Sequence, residues 1–118
     1  MNVPSNLQDI LAEANSAANR ACLAFLGKYY GGVDRGPCGF AWVFIYDDEN
    51  KKIRKNSRLG KALASLGITQ GGEGVHNVIN PGPSHLVQNV DALLAGAKAY
   101  AEVFNRHGFN AFARSRLD

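Results

Sequence analysis

"CGFAWVFIY", residues 38–46, decides the fold. Its residues alternate in two sets: Cys38, Phe40, Trp42, Phe44 and Tyr46 on one side, Ala41, Val43 and Ile45 on the other. Aromatic and β-branched residues at period two read as a strand, because successive side chains on extended backbone point to opposite faces. Both sets are apolar, so the run is expected to be a central strand covered on both faces, or nearly so. The "DDEN" that follows (47–50) reads as a turn, since Asp and Asn side chains bond nearby backbone groups.

Upstream, residues 5–30 read as a long helix. Ser5 with Gln8 makes a capping-box pattern. Leu7, Ile10, Leu11, Ala14, Ala18, Ala21, Phe25 and Tyr29 then recur on one face, and the alanines permit close approach to a neighbour. Gly31-Gly32 stops the helix, and "GGVDRGP" is a loop.

Downstream, "KKIRK" (51–55) holds one apolar residue, Ile53, and reads as an exposed edge or loop. A short helix over 57–66 follows, capped by Asn56, stopped by Gly67, and burying Leu59, Ala62, Leu63 and Leu66. "GGEG" is a turn, "VHNVI" (75–79) a strand and "NPGP" a turn. Asn89 opens a helix running to residue 107, with Val90, Leu93, Leu94, Ala97, Ala101 and Phe104 on one face. Gly108 ends it. In the last strand, 109–116, Phe112, Arg114 and Arg116 share one side, and Ala111, Ala113 and Ser115 the other. Strand 75–79, helix 89–107 and strand 109–116 make a βαβ unit with parallel strands and a right-handed crossover. The expected architecture is a single α/β or α+β domain, residues 1–118. It has a small mixed sheet centred on 38–46 and helices packed on that sheet.

The totals bound what such a domain does. With 118 residues, 46% apolar and 19% charged, the chain can build one core, and disorder is excluded. The formal charge of +3 is too small to argue for a partner by itself. "MNVPSNLQDI" lacks the basic and apolar regions of a secretory signal, and no apolar run approaches a membrane span. Cys22 and Cys38 make no disulfide framework and are expected to be reduced in a cytoplasm. No membrane partner and no cofactor are expected.

Four constellations could carry chemistry. "NPGPSHLVQN" joins a strand to a helix N-terminus, where backbone N–H groups and the helix dipole favour anions. Ser84, His85, Gln88 and Asn89 are suitable donors there, although no Walker or dinucleotide fingerprint accompanies them and Asn89 could simply cap the helix. Arg114 and Arg116 point the same way from the last strand, and a phosphate or carboxylate between them would relieve their repulsion. Their strand end and the loop before Asn89 fall on the same sheet edge, so the two groups are expected to converge into one anion site.

The third constellation is the basic run Lys51, Lys52, Arg54, Lys55, Arg58 and Lys61, which crowds the start of a helix whose dipole repels it. It either follows a nucleic-acid backbone or is a solvated loop balanced by Asp47, Asp48 and Glu49. No aromatics interleave it, which argues against a single-strand stacking platform there. The fourth is a Cys–His pair, Cys38 with His76, His85 or His107. Spacing does not support it, the apolar company of Cys38 suggests an inert core thiol, and no pair has metal-ligand spacing.

The segments "PCGFAWV", "NSRLGKAL", "QNVDA", "AGAKAYAEVF", "HGFNAF" and "SRLD" together resemble a group of small phage and prophage proteins without assigned biochemistry. The resemblance covers residues 37–118 and supplies no catalytic residues. It implies an accessory protein working in a bacterial cytoplasm during infection; such proteins bind nucleic acid, inhibit a host factor or sequester a nucleotide, and some are structural.

The leading expectation is therefore non-enzymatic binding of a phosphate-bearing ligand, nucleic acid first and a small nucleotide second. The alternative is a protein–protein module, either an inhibitor of a host defence factor or a homo-oligomeric scaffold. A small Cys/His hydrolase comes third.

Overall fold

A computed structural model describes residues 1–82 and 87–118. In chain order its elements are α1 (Leu7–Tyr30), β1 (Gly39–Tyr46), α2 (Arg58–Ser65), β2 (Thr69–Gln70), β3 (His76–Ile79), α3 (Val90–Arg106) and β4 (Asn110–Leu117). The sheet order is β2-β3-β1-β4, with every neighbouring pair antiparallel, so the sheet is antiparallel where a mixed one was expected. β1 is central, and one residue of it, Trp42, faces Ile79 of β3 on one side and Arg114 of β4 on the other. β3 and β4 run in the same direction, joined through α3, but β1 lies between them. The βαβ unit is thus a split one. β2 left no trace in the sequence because two residues are too few to show a period.

One expectation about β1 fails. Ala41, Val43 and Ile45 are fully buried under the helices, but the opposite row is open: Phe40 is 37% exposed, and Trp42, Phe44 and Tyr46 are only half-buried. The helices pack on one side of the sheet, and an antiparallel sheet can leave its other side to water. The aromatic row instead shields itself. Phe40 lies 6.3 Å from Trp42 between ring centroids, and Tyr46 meets Phe112 of β4 edge-on at 5.9 Å.

The helix layer is built by α3 lying on β1 and β4, with α1 packed across α3. The buried stripe of α1 is Leu7, Ile10, Ala14, Ala18, Cys22 and Leu26, so after Ala18 it passes through Cys22 rather than the expected Ala21, Phe25 and Tyr29. Steps of four dominate, and they keep the small side chains against Gly96 of α3. A Cβ on Gly96 would stand 2.9 Å from the Ala18 carbonyl oxygen. Beneath them Tyr100 stacks on Phe104, and Phe109 meets Phe104 edge-on, each pair 5.2 Å apart. Burying one such side chain contributes roughly 1.5–3 kcal/mol.

The caps differ in detail from the sequence reading. Asn6, not Ser5, stands at the start of α1, and it makes no side-chain cap bond, so the capping box does not form. Ser57 rather than Asn56 caps α2: its hydroxyl oxygen accepts from Gly60 N–H at 3.0 Å. Among the described residues no helix is long and apolar enough to cross a membrane.

Candidate functional site

The open face of the sheet carries the concentrated chemistry. Strand parity puts Phe40, Trp42, Phe44 and Tyr46 of β1 beside Phe112, Arg114 and Arg116 of β4, because directly opposed residues share a face. Asn77 and Ile79 of β3 complete it on the other side. Phe112 is 49% and Ile79 55% exposed. Each guanidinium lies over an aromatic ring of β1, diagonal to its own register partner. The Arg116 Cζ is 5.6 Å from the Trp42 ring centroid, and the Arg114 Cζ is 6.0 Å from that of Phe44. Contacts of this kind contribute about 0.5–1 kcal/mol each at exposed sites, enough to bias the side chains without locking them.

Two shallow hollows flank Phe44. One, of about 420 Å³, is lined by Phe44, Tyr46, Asn50, Glu73, Phe112 and Arg114. The other, of about 360 Å³, is bounded by Trp42, Phe44, Asn77 and the turn Gly71–Glu73. Both are open to solvent and share Phe44 and Glu73.

Arg114 and Arg116 do not converge with the start of α3. The strand end and the loop do meet at one edge: Cys38 bridges to Asn89, and its carbonyl accepts from Asp118 N–H. However, α3 lies on the covered face and the arginines on the open one. The donors at the helix start also have partners already. The Asp34 carboxylate accepts from Gln88 N–H at 2.9 Å and from Asn89 N–H at 3.1 Å, placing the chain's own anion where a phosphate would sit. Asn89 is buried; its Oδ1 accepts from Ala92 N–H at 2.9 Å and its Nδ2 donates to the Arg35 carbonyl at 2.6 Å. These bonds give Asn89 a capping role. Ser84 and His85 lie outside the described residues.

The basic run is dispersed. Lys51 pairs with Glu49 at 3.6 Å, and Lys52 Nζ donates to the Glu73 carbonyl at 2.9 Å. Arg54 and Lys55 sit in coil around the buried Ile53. Arg58 and Lys61 belong to α2 in the helix layer, so they do not widen the face that carries Arg114 and Arg116.

The Cys–His reading changes too. Cys38 is exposed, not a core thiol, with its Sγ 3.7 Å from Gln88 Oε1. Cys22 is the buried one, and burial followed by the Asp34 charge pushes its thiol up. His107 Nε2 lies 3.2 Å from a Glu13 carboxylate oxygen. That contact, and Arg106 after it, hold Glu13 below the usual carboxylate range. His76 is buried on the covered face at 1% exposure beside the Gly60 backbone, and its Nδ1 has no hydrogen-bond partner among the described residues. Among the described residues no group of three or more His, Cys, Asp or Glu could hold a metal.

Burial lowers the His76 pKa from 6.5, against the opposing effect of the Gly60 backbone. The unfolded chain therefore binds this proton more readily than the folded one. Stability from the neutral ring is complete above pH 6.5 and declines as pH falls from there through the lower folded value. Urea unfolding should show this decline, with a slope of at most about 1.4 kcal/mol per pH unit, and His76→Gln should remove it. Equal slopes in the two proteins would mean the ring is not held neutral.

Sequence reasoning covered Phe40, Phe44 and Tyr46 with a second layer, read Trp42 as core ahead of a ligand-stacking role, and gave Glu73, in the GGEG turn, no part in a site. The available signal was in the last strand: Arg114 and Arg116 beside Phe112 cannot face a sealed apolar layer, so the sheet had to be open on that side. Comparisons with protein-family models, curated proteins and solved structures found no match.

Proposed function

We propose that the open sheet face binds a phosphate-bearing ligand, single-stranded nucleic acid, without catalysis. The observation that carries this reading is the pair of guanidiniums held over the Trp42 and Phe44 rings on an uncovered aromatic row. Aromatic faces stack with any base, at roughly 1–3 kcal/mol per base, but only where bases are free of a duplex. Arginines beside them neutralise the adjoining phosphates. Both hollows are open, which suits a strand lying across the face better than a sequestered mononucleotide.

The phage accessory role in a bacterial cytoplasm belongs to this proposal. A protein partner, whether a host factor or a second copy, is the competing occupant, favoured by the exposed Ile79 and Phe112. Two arginines in the same patch, neither in an ion pair among the described residues, favour the polyanion.

Trp42 is the single tryptophan, so its fluorescence reports the face directly. A labelled ten-nucleotide single strand titrated at low salt should gain anisotropy while Trp42 is quenched. The same sequence as a duplex should bind more weakly. Anisotropy and fluorescence both unchanged would remove nucleic acid from this face and leave the protein partner.

A further inference from the structure

The sheet face is chemically asymmetric across β1. Two guanidiniums, Arg114 and Arg116, stand on β4, whereas the β2–β3 turn brings the Glu73 carboxylate to the face, with the Lys52 ammonium behind it on the Glu73 backbone carbonyl. A carboxylate beside a polyanion's backbone would be repulsive, so a bound strand must put its phosphates toward β4 and its base edges toward Glu73.

The turn is fixed in place. Gly71 N–H donates to the Val75 carbonyl at 2.9 Å, and Gly74 N–H to the Gly71 carbonyl at 3.0 Å. Lys52 holds the Glu73 carbonyl, as described above. Gly71 also sits so close to Asn77 that a Cβ there would lie 2.6 Å from the Asn77 Nδ2. The Asn77 amide donates to the Val75 carbonyl at 3.2 Å. Among the described residues no cation lies within ion-pair distance of the Glu73 carboxylate. It is an exposed, uncommitted acceptor pair on the rim of two hollows that share one aromatic ring.

From this we infer that Glu73 is a specificity-determining residue that selects guanine in the bound single strand; the inference rests on the nucleic-acid reading of the face. Guanine offers N1–H and the N2 amino group side by side, matching the two carboxylate oxygens. Adenine and cytosine offer one amino donor. Thymine and uracil present their N3–H between two carbonyl oxygens, which repel a carboxylate. A base stacked on Phe44 or Trp42 with its Watson–Crick edge toward the turn meets Glu73 in this order of preference. A bidentate base contact of this kind discriminates by roughly tenfold.

The test uses the intact protein and three labelled single strands: ten thymidines, the same strand with two central guanines, and that strand with inosines in place of the guanines. RNA versions with uridine run in parallel. Inosine keeps N1–H and loses the amino group, so it probes the contact without touching the protein. The guanine strand should bind roughly tenfold more tightly than the all-thymidine strand, inosine should lose most of that gain, and Glu73→Gln should shrink the guanine-to-thymidine affinity ratio measured within the variant. Equal affinity for all three strands, or a guanine advantage that survives Glu73→Gln, would overturn the role of Glu73 and leave the general binding intact. Failure of every strand to bind would overturn the binding reading itself, and this inference with it.

Discussion

Arg114→Glu combined with Arg116→Glu should reduce single-strand affinity by about 100-fold or more at moderate salt. The change removes both cations from the open face and places two carboxylates where the phosphates should lie. Each lost phosphate contact on a single strand flattens the log–log salt dependence by about 0.7, so the slope should fall by about 1.4. Folding should be little affected, because both side chains are exposed and the lost ring contacts are worth about 0.5–1 kcal/mol each. Arg114→Lys separates charge from shape: it keeps the cation but loses the planar fork, so its affinity should fall between the two. Wild-type affinity in the doubly reversed protein would remove the arginines from the interface, and with them the basis for choosing nucleic acid over a protein partner. The contrast is Arg58→Glu with Lys61→Glu. These residues belong to the helix layer, and reversing them should alter the affinity far less.

The largest effect on stability is expected at Gly96. Gly96→Leu should destabilise the fold by about 3 kcal/mol or more, read as a fall in the urea midpoint. A Cβ there meets the Ala18 carbonyl oxygen at 2.9 Å and the Cys22 Cβ at 3.5 Å, so the first carbon already crowds backbone. The remaining carbons of leucine have no space unless α1 lifts from α3. Because this crossing is the main attachment of α1, lifting it would open the core around Ile10, Leu26 and Leu93. Gly96→Ala is the graded control, setting about 1 kcal/mol of better helix propensity against the same contact. A leucine variant as stable as the wild type would show that the two helices can separate without loss.

Much of the fold was legible locally. The stripe from Leu7 through Ala18, the alternation in 38–46 and the Asn89 cap each follow from short-range rules, and each element stands within a residue or two of where those rules put it. The stripe in α1 drifted because the choice between Ala21 and Cys22 depends on which side of the helix meets Gly96. Nothing within twenty-four residues of helix states that. Cap identity shifted by one residue at Asn6 and Ser57 for a related reason: adjacent polar residues compete, and backbone geometry decides between them.

The candidate site was half legible. Arg114 and Arg116 stood out by their alternation, yet they were paired in expectation with Gln88 and Asn89, whose backbone N–H groups Asp34 already occupies and whose helix lies on the covered face. A sequence orders strands along the chain and leaves open which side of a sheet the helices cover. Asp34 was likewise invisible as the anion at the start of α3, since more than fifty residues separate it from the N–H groups that it satisfies.

By itself, then, the sequence determined where the chain is helical and, β2 apart, where it is extended, which side chains share a strand face, and that 38–46 lies inside the sheet. Those follow from periodicity and capping, which act over a few residues. The tertiary structure alone decided that β1 separates β3 from β4, that the helices gather on one side, and that an apolar aromatic row is left beside two arginines and across from Glu73. Those outcomes depend on packing between segments distant in the chain, where burying one face of the sheet necessarily settles the character of the other.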